Sequence, residues 1–270
     1  MTQDNHLLNI FEKICRSNIY LFIFSRYLVG KFLSKIVYDS DFKIIKILTK
    51  SNFFKKKNSL ILDIGANDGM SYSIMRKFSR LTKIISFEPN NSNYRNLKKI
   101  EKKDKNFKCK KLALSNKNEK KYFYTPYFKK YALTQISGIS KTGVKERLKR
   151  SLYVKNLLKK ITVKKETLNT FKLDKFNYNP HFIKIDVEGH EFECIKGSLK
   201  TIKRSKPILM VEYDKKICDK IFMLLKKYDY KKFIFNKKTK KIDNFDNKKE
   251  IFNIFFINTK HLKYLSYDNN

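Results

Sequence analysis

From Leu60 onward, short and fully apolar runs alternate with stretches in which apolar residues recur every three to four positions. The first rhythm is that of strands buried on both faces, the second that of amphipathic helices. Residues 60–64 and 84–87 read as the first two strands and 107–114 as the third. Between them, 71–80 reads as a helix opening on Ser71, a hydroxyl suited to capping. Residues 91–103 form the next helix, with Tyr94, Leu97 and Ile100 on one side. A fourth strand at 181–187 leads to a helix over 190–204, where Phe192, Ile195, Leu199 and Ile202 keep helical spacing. Pro207 introduces a strand at 208–212. A helix over 215–227 and strands at 232–235 and 252–257 follow, and the last dozen residues are polar enough to fray. Regular alternation of this kind predicts an α/β domain whose mostly parallel, doubly wound sheet is covered on both faces.

Two stretches break the alternation. Residues 1–50 read as helical without strand–turn punctuation, an extension ahead of a domain at 51–270. Within it, 19–38 is rich in aromatic and aliphatic residues but interrupted by Arg26, Lys31 and Lys35. It either packs on the domain or rests on an anionic membrane with its lysines toward the headgroups. Residues 116–180 separate the third and fourth strands. They hold strand patterns at 121–125 and 161–165, a polar middle at 134–142 and a basic helical stretch at 144–160. An interruption of that length is functional or mobile, so it is either the acceptor-binding region or a solvated, lysine-rich excursion.

Composition changes this picture in one respect. A hydrophobic fraction of 41% in 270 residues is ample for a core, but the formal net charge is +37. Such a charge suits a polyanionic partner. Yet only eight of the 62 basic residues are arginine, and readers of nucleic acid lean on arginine for two-pronged contacts. Abundant Lys, Asn, Ile, Phe and Tyr with scarce Gly and Pro is also what A/T-rich codons produce. We therefore read the charge chiefly as coding bias, with nucleic acid kept as an alternative partner. Cys15, Cys109, Cys194 and Cys218 lie far apart in sequence, which suits reduced thiols in a cytoplasm rather than a zinc site or disulfide framework. No stretch has the length of a spanning helix, and Asp4 and Glu12 spoil a signal-peptide start. The expected location is cytoplasmic, peripheral to the inner face of the membrane if residues 1–50 touch lipid.

The chemistry gathers at the strand ends. Asp63 and the turn Gly65-Ala66-Asn67-Asp68-Gly69 close the first strand, and Glu88 closes the second. A glycine turn between strand and helix, with a carboxylate about 20 residues further on, builds a pocket for a nucleoside-containing cofactor. The turn lacks the full glycine spacing of nicotinamide binders, so a dehydrogenase is the weakest reading. Asp186, Glu188 and Glu212 offer oxygen ligands of the kind magnesium or calcium takes, although nothing in their spacing requires a metal and none is expected.

Four segments in order sharpen the cofactor. Asp63-Ile64-Gly65-Ala66-Asn67-Asp68-Gly69, Phe87-Glu88-Pro89-Asn90, Ile183-Lys184-Ile185-Asp186-Val187-Glu188-Gly189-His190-Glu191 and Pro207-Ile208-Leu209-Met210-Val211-Glu212 together resemble the FkbM family of S-adenosylmethionine-dependent methyltransferases. Lys196, Gly197 and the earlier Thr167-Leu168-Asn169 fit as well. The resemblance spans roughly residues 60–212. It implies a class I methyltransferase (Rossmann-like) fold with seven strands, one of them antiparallel near the end. It also implies O-methylation, commonly of a sugar hydroxyl on a glycan or a glycosylated small molecule.

By that resemblance, Asp63, Gly65 and Asn67 hold the methionine end of S-adenosyl-L-methionine. Glu88 takes the ribose diol with Asn90 close by, and Ser115 lies near adenine. Asp186, Glu188 and His190 are the candidate bases for drawing a proton from the acceptor hydroxyl, His190 because an ordinary imidazole titrates near neutrality. Two other functions remain open. One is methylation of RNA on the same fold, although no aromatic-rich RNA module is evident. The other is a non-catalytic, membrane-attached protein that keeps a nucleoside pocket.

Overall fold

A computed structural model describes residues 18, 20, 21, 24, 39–54, 58–151, 158–246 and 251–265. It divides into two compact units. The larger comprises Tyr38–Lys121 and Leu168–Asn270, the smaller Met1–Val37 and Tyr122–Thr167. The first expectation to be corrected is the boundary at residue 50. Helix α1 (Asp39–Lys50) belongs to the larger unit, because its apolar face of Phe42, Ile44, Ile45 and Leu48 is buried in that unit's core. Apart from Tyr20, Leu21 and Phe24, the stretch expected to be helical over 19–38 lies outside the described residues, as do Lys55–Lys57 and the last five residues.

The larger unit is built on one sheet. Its strands, in chain order, are β1 (Leu60–Ile64), β2 (Lys83–Phe87), β3 (Phe107–Lys110), β8 (Phe182–Ile185), β9 (Ile208–Glu212), β10 (Tyr230–Phe235), β11 (Ile242–Asn244) and β12 (Asn253–Asn258). They lie in the order β11-β10-β12-β9-β8-β1-β2-β3. The five from β3 to β9 are parallel, and β12 inserts antiparallel between β9 and β10. This is the class I methyltransferase architecture. One expectation of it changes: β11 pairs antiparallel with β10 and makes the sheet eight-stranded.

Helices α2 (Met70–Phe78) and α3 (Asn91–Glu101) join α1 on one face. Helices α5 (Glu191–Lys196), α6 (Leu199–Ser205) and α7 (Lys215–Leu225) cover the other. Alternate strand residues serve alternate faces. Ile61 and Phe182 join the first core, while Leu62, Ile64, Ile183 and Ile185 join the second.

Three elements differ from the sequence pattern. The expected third strand ends at Lys110. Ala113–Leu114 forms a separate strand, β4, which pairs parallel with Thr170 and Phe171 of β7 (Ile161–Phe171). The expected single helix over 190–204 is two pieces, α5 and α6, divided at Gly197 and Ser198. Helix α2 is not capped by Ser71, because Gly69 stands at the cap with φ 95° and Ser71 lies inside the helix.

In the smaller unit, which β5 (Glu119–Phe128) enters at Tyr122, that strand turns into β6 (Tyr131–Ala132), and helix α4 (Lys141–Ser151) follows. The expected helix at 144–160 thus begins earlier, and residues 152–157 lie outside the described ones. Phe128, Leu133, Ile136, Val144 and Leu148 form a core of their own. The described residues of the long interruption are therefore folded around a core rather than spread as a solvated excursion.

Candidate functional site

The carboxylates named from the sequence stand at the C-terminal ends of four neighbouring strands, β2, β1, β8 and β9. In open α/β sheets this is the edge at which ligands bind. The turn after β1 is shaped for close approach. Gly65 has φ 79°, and a Cβ there would fall 1.8 Å from the Asp186 carbonyl oxygen. Asn67 is also left-handed, with φ 48°. The Gly65 and Ala66 amides both donate to the Phe87 carbonyl, at 3.0 and 3.2 Å, which ties the turn to β2.

Glu88 is buried at the end of β2. Its Oε2 accepts from the Asn67 amide at 2.8 Å and its Oε1 from the Asn90 amide at 2.7 Å. Burial pushes this carboxyl up to about 7 against the pull of those two amides. Asn67 is held further by Asn93, whose Nδ2 donates to its Oδ1 at 2.7 Å. Asn90 serves as the N-cap of α3, accepting from the Ser92 and Asn93 amides at 3.0 and 3.2 Å.

Asp63 is fully buried. It lies on the sheet face that meets α2, where Ser71 donates to its Oδ2 at 2.6 Å, and Ser86 of β2 donates at 3.2 Å. The hydroxyl expected to cap α2 thus holds a carboxylate of β1.

Across the sheet, Asp63 is in register with Lys184 of β8. The Lys184 Nζ stands 3.4 Å from Asp63 and 3.3 Å from Asp186, and donates to the Gly65 carbonyl at 2.9 Å. Burial opposes its charge, but Asp186 and Asp63 outweigh this and raise its pKa above the ordinary lysine value. Sequence reasoning gave this lysine no role. The signal was a single cation inside the apolar run Phe182-Ile183-Lys184-Ile185, which demands a buried counter-charge.

Asp186, Glu188 and Glu212 bring one carboxylate oxygen each within 4.8 Å of one another, at ligand-like separations. Asp186 remains accessible, its side chain 39% exposed. Glu188 sits at φ 58°. Burial, then the charges of Asp186, Glu188 and Glu191, push Glu212 up to about 9, so it carries a proton at neutral pH. Glu191 is committed to the backbone, accepting from the Val187 and Gly189 amides at 3.1 and 3.0 Å.

His190 and Ser115 are brought together, with His190 Nε2 and Ser115 Oγ 3.0 Å apart. Burial pushes the imidazole down to about 4, away from the neutral range expected of it. At pH 7 the ring is neutral and a weaker base than its ordinary pKa promised. Ser115 is itself fully buried, and its carbonyl lies against Gly197, where a Cβ would be 1.9 Å away. The sequence-named residues thus form two groups, Glu88 with Asn67 and Asn90, and Asp63 joined through Lys184 to Asp186 beside Glu188 and Glu212, with a separate pair, Ser115–His190.

A search of curated proteins found no match. Among solved structures, the chain is similar to a methyltransferase FkbM from Methylobacillus flagellatus KT, at 15% identity and a TM-score of 0.45. That match covers 74% of this chain and 43% of the other, so the chain spans less than half of that relative's length. A precorrin-6y C5,15-methyltransferase from Geobacter metallireducens GS-15 matches at 10% identity over 79% of this chain and 87% of the other, with a TM-score of 0.39. An rRNA methylase from Streptococcus thermophilus matches at 9% over 77% and 92%, with a TM-score of 0.37. At such distances none of the three bears on the chemistry of this chain. The family model described as the methyltransferase FkbM domain matches residues 63–232, from the end of β1 into β10 and through every strand-end carboxylate described above, and the chain belongs to the FkbM family of methyltransferases.

Proposed function

We propose that the chain binds S-adenosylmethionine over the ends of β1 and β2 and transfers its methyl group to a hydroxyl of a carbohydrate or a related small molecule. The observation that carries this reading is Glu88. Its carboxylate is held in place by the amides of Asn67 and Asn90 beside a left-handed glycine turn. Each of its oxygens keeps acceptor capacity for a ribose hydroxyl. Gly65 and Asn67, in the turn, are placed for the methionine end. Asp63 stands behind this surface and acts by anchoring α2 and Lys184 rather than by touching the ligand. The bound cofactor supplies an activated methyl group on sulfur.

Methyl transfer is an in-line displacement, so holding the acceptor oxygen in line is a large part of the acceleration. A hydroxyl also needs a base as its proton leaves. Asp186 fits that role best. It is accessible, its Oδ2 stands 3.3 Å from the Lys184 Nζ, and it directly follows the strand beside β1. Glu212 carries its own proton and His190 is paired with Ser115, so neither competes well. Glu188 adjoins Asp186 and helps to orient the hydroxyl. A divalent cation, if one takes part, would be held by the Asp186, Glu188 and Glu212 carboxylates and would polarise the acceptor hydroxyl.

Calorimetry with S-adenosylmethionine and labelled methyl transfer to a panel of glycans test the proposal. We expect Glu88→Ala to weaken cofactor binding at least about a hundredfold, the scale of two charge-assisted hydrogen bonds. Asp186→Asn should lower turnover at least about tenfold at unchanged cofactor affinity. Normal affinity in the Glu88 variant would refute the pocket. RNA is the second reading, favoured by the net charge of +37. Methyl transfer to RNA but to no glycan, with steep salt dependence, would establish it instead.

A further inference from the structure

Besides its strand-end site, the protein carries an exposed apolar and basic surface on the smaller unit. Asn18 caps a helical start, its Oδ1 accepting from the amides of Tyr20 and Leu21 at 2.9 and 3.3 Å. Tyr20, Leu21 and Phe24 are 55%, 40% and 57% exposed. At positions 0, +1 and +4 of a helix they fall within an arc of about 100°. This start is seated on the β5–β6 hairpin. The Tyr20 ring meets Phe128 edge-on at 5.4 Å, and Lys129 Nζ donates to the Tyr20 hydroxyl at 2.9 Å. Lys130 and the exposed Tyr131 continue the same hairpin. Between 122 and 167 the sequence carries twelve lysines and arginines against two glutamates.

We propose that this face, formed by Tyr20, Leu21 and Phe24 with Lys129, Lys130 and Tyr131, docks the protein on an anionic lipid surface. Apolar side chains that are exposed beside lysines suit the boundary between acyl chains and headgroups. Leu21 and Phe24 would enter the apolar layer, and the lysines would meet lipid phosphates. Tyr20 and Tyr131 belong at the interface between the two, apolar in ring and polar at the hydroxyl.

Nucleic acid fits this surface less well. Bases stack on open aromatic faces, whereas here ammonium groups stand over the rings. Lys165 lies 3.4 Å from the centroid of Tyr122, Lys129 5.5 Å from Tyr20 and Lys130 5.8 Å from Tyr131. Leu21 and Phe24 offer nothing to a base edge or a phosphate. Arg147, one of the two arginines of the 122–167 segment, donates to the carbonyls of Ile136 and Ser137.

The test is co-sedimentation of the full chain with vesicles of phosphatidylcholine alone or with about 30% phosphatidylglycerol. We expect at least about tenfold stronger binding to the anionic vesicles, weakened by salt, since each lysine at such a surface is worth roughly fivefold. Leu21→Ser with Phe24→Ser should reduce that binding about tenfold at unchanged circular dichroism and melting temperature. Lys129→Glu with Lys130→Glu should reduce it as much and flatten the salt dependence. Equal binding to neutral vesicles, or full binding by the serine pair, would overturn the proposal. So would retention on single-stranded RNA homopolymer in the absence of vesicle binding.

Discussion

At the scale of single residues, Lys184 is the contact on which the site's geometry depends. It joins Asp63, Asp186 and the Gly65 carbonyl, and so links β8 to the glycine turn after β1. Removing one member of a buried ion pair leaves the others uncompensated. Lys184→Met should therefore cost about 3–5 kcal/mol in urea unfolding. Adding Asp63→Asn should recover part of that loss, as a double-mutant cycle would show. Glu212 acts in the opposite direction. Its carboxyl keeps a proton in the folded chain up to about pH 9 and loses it in the unfolded chain above its ordinary value of 4.5. Rising pH between those values favours unfolding. Glu212→Gln imitates the protonated acid, so it should melt a few degrees higher than the native chain at pH 8, where about 1 kcal/mol is worth about 2–4 °C. That advantage should vanish near pH 4.5 in paired thermal melts. His190 has a depressed pKa, so the stability it contributes is present above its ordinary value of 6.5 and is lost as pH falls through about 4.

At the scale of elements, the strand–helix alternation was legible because burial on both faces writes itself as unbroken apolar runs. Strand β1 and helix α7 begin where the pattern places them, and the buried segments Leu60–Ile64 and Ile208–Glu212 agree residue for residue. Two of the failures share one physical source, which is close approach between segments distant in sequence. Helix α5 stops at Gly197 because the chain there runs against the Ser115 carbonyl. The strand expected over 107–114 divides because its end leaves β2 for β7. Gly197→Ala, harmless by local helix propensity, should therefore destabilise the fold. A Cβ 1.9 Å from backbone oxygen requires either α5 or β4 to move. We expect a lower melting temperature, with disturbance of the Ser115–His190 pair visible as a changed titration of His190 by NMR.

At the scale of the whole molecule, net charge is the dominant global property. A formal charge of +37 over 270 residues repels itself in the compact state. The melting temperature should thus rise between about 0.02 M and about 0.3 M sodium chloride, as the screening length drops below about 10 Å. A flat or falling curve would mean that local ion pairs outweigh the repulsion. Among the described residues no helix is long and apolar enough to cross a membrane. Periodicity and short motifs set the alternating elements, the family motif and the placement of Asp63, Glu88, Asp186 and Glu212 at or beside strand ends. These depend on periodicity and short-range order, which are local. Which of these groups meet, and in which protonation state, follows from long-range packing. The partners Gly65 and Lys184 lie 119 residues apart in the chain. Strand register and burial, neither of which is written locally, bring Lys184 between Asp63 and Asp186 and leave a proton on Glu212.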